Sequence, residues 1–315
     1  MQLCLYGSIA WRHPVGFAQV LEWARTFGWD LVDARGLNLD VPGDVDRRLG
    51  AFGYDMLGPR QIRRSARREL RQRLQDAGLP LLGIYCPSPV NLPGPRGEAC
   101  RELFCEFLEL AADLGAGWIR SINNTLATYG GPDMGPAEAF DRTVDGLCEV
   151  ARRADALGVG LMLENNENTT TSDAASLVRL QDAICDVCRS GIAYDPVNAY
   201  FQGDDPAPGY TLLAGRITCL HLKNVRRHNA PQYHYLPRGN FSYEWTSLAG
   251  GDLDWGAQLR LARDIARFDG PLVFEYVNPF KGMPRDYWDT LREPHEAARQ
   301  EAEFLRATLA KLTDA

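Results

Sequence analysis

Four residues lie at the ends of four apolar runs and belong to types that bind metal ions or move protons. They are Glu164 in GLMLEN, Asp195 in AYDPVN, His221 in CLHLKN and Glu275 in LVFEYVN. Three carboxylates and one imidazole form a hard, oxygen-rich set. Such a set suits one divalent metal ion, Mn²⁺ first, with Mg²⁺, Co²⁺ or Zn²⁺ as alternatives, and leaves positions open for water or substrate. Brought together without a cation, three carboxylates repel, and at least one has its pKa raised. Each residue alone has an ordinary use. Glu164 can order a loop, Asp195 before Pro196 can start a turn, His221 can sit hydrogen-bonded in a core, and Glu275 can pair with an arginine. Their recurrence at four successive run ends points to a shared site.

The elements that must position these residues recur along the whole chain. Short β-rich runs occupy 2–7, 30–36, 79–86, 117–123, 159–165, 191–197, 217–223 and 271–277. Helical spacing fills the gaps: Leu103, Phe104, Phe107, Leu108 and Ala111 share one face, as do Val144, Leu147, Ala151, Ala154 and Leu157. The last helix carries Ala298, Ala302, Leu305, Leu309 and Leu312, with Pro294 near its start. Gly78, Gly115, Gly158, Gly191 and Gly270 precede strands and read as helix C-caps or the turns after them. Eight strand–helix repeats with continuously apolar strands predict an α/β fold, a (β/α)8 TIM barrel forming a single domain over 1–315. A doubly wound open sheet would carry a Gly-rich phosphate turn after strand 1; GSIAWRHPVG lacks that spacing. In barrels of this kind the chemistry sits at the C-terminal ends of the strands, where the four residues fall.

The bulk properties narrow the partners. The chain has 315 residues, 45% of them hydrophobic, and a net charge of −7, which disfavours nucleic acid and anionic membrane surfaces. No apolar run approaches the ~20 residues that cross a bilayer. The eight cysteines are scattered, as expected of free thiols in a reducing compartment, and the start lacks the features of a signal peptide. A cytoplasmic location is the expectation. The arginine-dense segment 60–74 keeps Ile62, Ala66, Leu70 and Leu74 as an apolar stripe and reads as a solvated helix. Cys185 and Cys188 form a lone C-x-x-C without a second pair.

At LEN (Glu164), DPVN (Asp195, Asn198), HLKN (His221, Lys223), FEY (Glu275) and GGDLDW (Gly251, Asp252, Asp254, Trp255), the sequence resembles the xylose isomerase-like TIM-barrel superfamily. More narrowly it resembles the sugar-phosphate isomerase/epimerase group. The resemblance implies that Glu164, Asp195, His221 and Glu275 hold the metal and that Glu164 and Glu275 also move protons. Lys223, two residues beyond His221, would steady an oxyanion. The substrate would be a small carbohydrate, a keto-sugar or related polyol, deprotonated beside its carbonyl through an enediolate. Epimerisation or isomerisation is the first reading. A lyase or dehydratase acting on a keto-sugar, keto-inositol or 3-keto-glycoside, including C-glycoside cleavage, is the second. Two positions depart from the group: Asn166 stands where a histidine is frequent, and Asn224 replaces an acid. DNA-repair endonucleases share the barrel but need more histidines than the five present.

The long loop after strand 7, 224–250, is rich in aromatics and predicts a lid, a substrate wall or a subunit contact. His228 and His234 within it are candidate substrate-binding residues, together with Asn166, Asn198, Tyr85 after strand 3 and Asn123 after strand 4. Aromatic faces stack well on sugar rings, which favours a substrate larger than a free monosaccharide. A homo-oligomer or a second subunit is compatible with the sequence.

Overall fold

The computed structural model describes residues 1–10, 16–36, 49–50, 53–54, 57–121, 134–166, 169–228, 242–276 and 291–313. Its strands are β1 (Gln2–Tyr6), β2 (Leu31–Arg35), β3 (Leu49–Gly50), β4 (Gly53–Tyr54), β5 (Leu81–Cys86), β6 (Trp118–Ser121), β7 (Gly160–Glu164), β8 (Ser190–Tyr194), β9 (Ile217–Leu222), β10 (Val225–His228), β11 (Ser242–Trp245) and β12 (Pro271–Phe274). Eight of them close a parallel barrel in the order β1–β2–β5–β6–β7–β8–β9–β12 and back to β1. These eight coincide with the eight runs expected from the sequence. The remaining four pair as two small antiparallel ribbons, β3 with β4 and β10 with β11.

The helices are α1 (Phe17–Phe27), α2 (Arg64–Asp76), α3 (Gly94–Leu114), α4 (Pro136–Leu157), α5 (Ala174–Ile184), α6 (Pro196–Phe201), α7 (Ala207–Leu212), α8 (Trp255–Asp264) and α9 (Pro294–Thr313). The expected apolar face of α3 is fully inward, with Phe104, Phe107, Leu108 and Ala111 all buried. Gly115 and Gly158 end α3 and α4 at φ 78° and 68°, a left-handed turn that costs glycine little.

Side chains on a strand alternate faces, and here the alternation separates two cores. Outward residues such as Leu161, Leu163, Ile192, Leu220, Leu222, Leu272 and Phe274 join the large core beneath the helices. Inward residues form a smaller cluster of Cys4, Tyr6, Leu31, Met162, Ala193, Cys219 and Val273, with Leu82, Tyr85 and Trp118 against it. Two residues beyond these inner positions the same faces become polar: Leu31 gives Asp33, Trp118 gives Arg120, Met162 gives Glu164, Ala193 gives Asp195, Cys219 gives His221 and Val273 gives Glu275. The apolar plug thus forms the floor, and the polar residues form the next layer above it.

Gly191 is not a helix cap. It lies inside β8, where a side chain would run into Thr218 and meet the Trp118 ring at 3.3 Å. Gly160 on β7 serves the same ring more tightly, since a Cβ there would sit 2.5 Å from Trp118. Both glycines make room for one large indole at the base of the barrel. Gly160→Ala is expected to lower stability by about 1–3 kcal/mol, the range for overpacking a filled core. Equilibrium urea unfolding measures this, and an unchanged midpoint would contradict the packing described.

Candidate metal centre

Glu164 is the last residue of β7, Asp195 follows β8, His221 lies within β9, and Glu275 follows β12. The Glu275 amide still donates to the Leu222 carbonyl at 2.9 Å, so the ladder extends to it. One donor atom from each of the four lies within 4.8 Å of the others. His221 Nδ1 stands 3.5 Å from Glu275 Oε2 and 3.8 Å from Glu164 Oε1.

Two strand ends are tied together beside the site. Asn165 Nδ2 donates to the Asp195 carbonyl, and the Asp195 amide donates back to Asn165 Oδ1, both at 2.8 Å. Asn198 Nδ2 donates to the Asn165 carbonyl at 2.8 Å, and Thr171 Oγ1 donates to the Glu164 carbonyl at 3.0 Å. Asp195 is also the N-cap of α6. Its Oδ1 accepts from the Val197 and Asn198 amides at 2.9 and 3.1 Å, with Pro196 at the first helical position. That leaves Oδ2 to face the cluster, where Lys223 Nζ lies 2.7 Å away.

Lys223 is buried rather than a surface lysine, and it also reaches Glu275 Oε2 at 3.2 Å. Burial alone would drive off its proton; the Asp195 and Glu275 carboxylates outweigh burial and hold its pKa above the usual value. Burial and the nearby Arg120 guanidinium lower the His221 pKa, so the imidazole is neutral at pH 7. Asp195, wholly buried, is pushed up to about 6 by desolvation against the pull of Lys223. Desolvation also opposes ionisation of Glu275, but Lys223 and His221 prevail and hold its carboxyl well below the ordinary range.

Arg120 and Asp33 belong to the same polar layer. Arg120 Nη1 donates to Glu164 Oε2, and Nη2 donates to Asp33 Oδ2 at 3.4 Å. The layer thus brings four carboxyl groups, Asp33, Glu164, Asp195 and Glu275, together with the Arg120 and Lys223 side chains and His221. The donor chemistry and the spacing of the four atoms fit one divalent cation among Glu164, Asp195, His221 and Glu275.

The match to known proteins follows the same lines. Residues 22–308 match the family described as xylose isomerase-like TIM barrel. The chain belongs to that family. Solved structures of similar fold include the IolI protein with a bound zinc atom, 16% identical, with a TM-score of 0.73 over 99% of each chain. A D-psicose 3-epimerase determined with D-fructose is 16% identical, with a TM-score of 0.70 over 98% of this chain and 99% of that one. The probable 3-DHS dehydratase AsbF from Bacillus anthracis is 17% identical, with a TM-score of 0.68 over 97% of this chain and 99% of that one. At these identities the likeness is one of fold. No curated protein sequence matches the chain.

The family motifs also serve as scaffolding. Asn224, where the group has an acid, is buried. Its Nδ2 donates to the Leu248 and Leu253 carbonyls at 2.8 and 2.9 Å, and its Oδ1 accepts from the Val225 and Leu253 amides at 2.9 and 3.2 Å. An amide meets both needs, whereas a carboxylate would face two carbonyls with no proton to give. In GGDLDW, Trp255 Nε1 donates to the Lys223 carbonyl at 3.1 Å, and Asp254 caps α8. Asp252 Oδ2 accepts from the Arg227 amide at 2.7 Å and from the Tyr200 hydroxyl at 2.9 Å.

The remaining sequence candidates fall in several places. Tyr85 is half-buried, its ring 5.2 Å from the Arg120 guanidinium. Asn166 is partly exposed beside the site, its amide donating to the Thr171 carbonyl at 3.3 Å. Asn198 is wholly buried and ties strand ends together. His228 lies on the β10–β11 ribbon, Nε2 at 3.0 Å from Glu244 Oε2. Asn123, His234 and loop residues 229–241 lie outside the described residues. The described part of the loop is an antiparallel ribbon whose Trp245 ring centre lies 5.8 Å from Lys223 Nζ. Phe201 of α6 packs edge-on against Tyr243 and Trp245. The sequence reading missed Asp33, Arg120 and the Asn165 clamp. The signal was a charged residue two places beyond an inward apolar one on β2 and β6, in step with the four ligand candidates.

Asn224→Asp is expected to destabilise the ribbon by about 1–3 kcal/mol, the cost of buried groups left without partners. Hydrogen exchange at Val225, Arg227 and Thr246 should accelerate in this variant. Unaltered protection there would contradict the anchoring role.

Proposed function

We propose that this protein is a divalent-metal-dependent isomerase or epimerase that removes a proton beside the carbonyl of a keto-sugar or related polyol. The observation that carries the reading is the convergence of Glu164, Asp195, His221 and Glu275, with donor atoms within 4.8 Å of one another, at one barrel rim. The fold likeness to a D-psicose 3-epimerase supports a sugar substrate. A divalent ion at the quartet, Mn²⁺ by preference, would supply Lewis acidity toward charge growing on a carbonyl oxygen.

The chain's own groups divide the remaining work. Asp195 and His221 are fixed, the first by its helix cap and the second by burial, and serve as holding ligands. Glu164 and Glu275 project from opposite neighbours of the β8–β9 pair and act as the acid–base couple for the substrate's two faces. Glu275 is the more accessible, with 14% of its side chain exposed against 2% for Glu164. Lys223 keeps its proton and stands beside Glu275, in reach of a developing oxyanion. Trp245 forms part of the wall above Lys223, a face on which a sugar ring or aglycone can stack. Asn166 beside Glu164 contributes a polar contact to the substrate.

Lys223 also favours the second reading, in which the same enediolate expels a β-substituent. The Lys223 ammonium, beside Glu275, can hydrogen-bond a departing oxygen while a carboxyl of the couple protonates it. That outcome is a lyase or dehydratase of a keto-sugar, keto-inositol or 3-keto-glycoside.

Incubation with keto-sugars and 3-keto-glycosides in D₂O with Mn²⁺ tests both readings. Deuterium is expected at the carbon beside the carbonyl, and the released product distinguishes epimerisation from elimination. Glu275→Gln should slow exchange by about 10²–10⁴-fold, the usual contribution of a positioned acid–base group. Full exchange in that variant, or none in the wild type across the panel, would refute the proposal.

A further inference from the structure

Arg120 is 2% exposed, and four groups fix its guanidinium. Glu164 Oε2 accepts from Nη1, and Asp33 Oδ2 accepts from Nη2 at 3.4 Å. The Tyr6 and Tyr85 rings lie 4.8 and 5.2 Å from its central carbon. Asp33 has no solvent exposure, and its carboxylate fits because the neighbouring strand carries Gly83, where a Cβ would stand 3.2 Å from Asp33 Oδ1. A planar fork can serve two carboxylates at once; a lysine ammonium on a flexible stem has no such fixed geometry.

These contacts treat the two oxygens of Glu164 differently. Oε2 is committed to Arg120, while Oε1 lies 3.8 Å from His221 Nδ1, on the side of the quartet. Glu275 differs: its Oε2 faces both Lys223 and His221. We propose that Arg120, oriented by Asp33, is a positioning residue that restricts Glu164 to one oxygen for the metal. This rests on the metal reading of the quartet given above. A carboxylate free to turn can bind a cation through both oxygens. With one oxygen retained by Arg120, Glu164 fills one coordination position and leaves its neighbour for the oxygens of a substrate. Arg120 reaches the chemistry only through Glu164, and the Asp33–Arg120 pair spans the floor of the polar layer from β2 to β6.

The test is a charge-conserving pair of substitutions, Asp33→Asn with Arg120→Met, which removes one negative and one positive group. Co²⁺ is titrated into the full-length wild type and the variant, and both the visible d–d spectrum and the dissociation constant are read. The wild type should bind one Co²⁺. The variant should bind within about tenfold of wild-type affinity, whereas loss of a supporting group around a metal ligand usually costs about 10–100-fold. Its spectrum should weaken and shift, because a second Glu164 oxygen raises the coordination number and d–d intensity falls as coordination rises.

An unchanged spectrum, with or without a loss of affinity, overturns the proposal and leaves Arg120 a packing element. If the double variant does not fold, Arg120→Lys with Asp33 retained is the substitute. The same weakening is expected there, and an unchanged spectrum again overturns the claim. A wild type that takes up no Co²⁺ refutes the metal reading itself and this proposal with it. A wild type that binds while the variants match its spectrum refutes only the restraint.

Discussion

Carboxylates do not accumulate in a protein interior unless something of opposite charge accompanies them, because the loss of hydration far exceeds what apolar packing returns. In this barrel four of them, Asp33, Glu164, Asp195 and Glu275, share one layer with two permanent cations. The remaining architecture follows from that constraint. Arg120 and Lys223 neutralise two charges. The α6 N-terminus delivers two backbone amides to Asp195, and the neutral His221 avoids adding a positive charge that would compete with a cation. A divalent ion held by this layer would be thermodynamically linked to the folded state.

Rigidity at this layer is supplied from three directions. Below it the inner cluster around Met162, Cys219 and Trp118 closes the barrel. Beside it Asn165 and Asn198 tie the end of β7 to the residues after β8, fixing Glu164 relative to Asp195. Above it the β10–β11 ribbon is fastened by Asn224, Asp252 and the Phe201–Tyr243–Trp245 packing. The helix capped by Asp195 is the one whose last residue, Phe201, supports the ribbon. One short element therefore connects a ligand candidate to the wall over the site.

Much of this was legible in the sequence because continuous apolar strands followed by a polar residue report the direction of the chain through a parallel barrel. The eight strands and the positions of Glu164, Asp195, His221 and Glu275 follow from that rule. Arg120 and Asp33 escaped because both lie within strands, not at their visible ends. Strands apolar on both faces also hide the period-two alternation that marks inward residues. Gly191 reads from sequence as a cap or the turn after one, because a glycine before an apolar run has that use as well as a place inside a strand, and only the position of the Trp118 ring across the barrel separates them. The scaffold roles of Asn224 and Asn165 depend on contacts between residues distant in sequence or on neighbouring strands, which no local pattern encodes.

The proposed chemistry requires one cation held by side chains from four adjacent strands. Anomalous diffraction at the manganese edge from crystals grown with Mn²⁺ examines it most directly. One peak per chain is expected, enclosed by Glu164, Asp195, His221 and Glu275. Density confined to another part of the molecule, three peaks at the rim, or none with Lys223 still bridging Asp195 and Glu275 would contradict it.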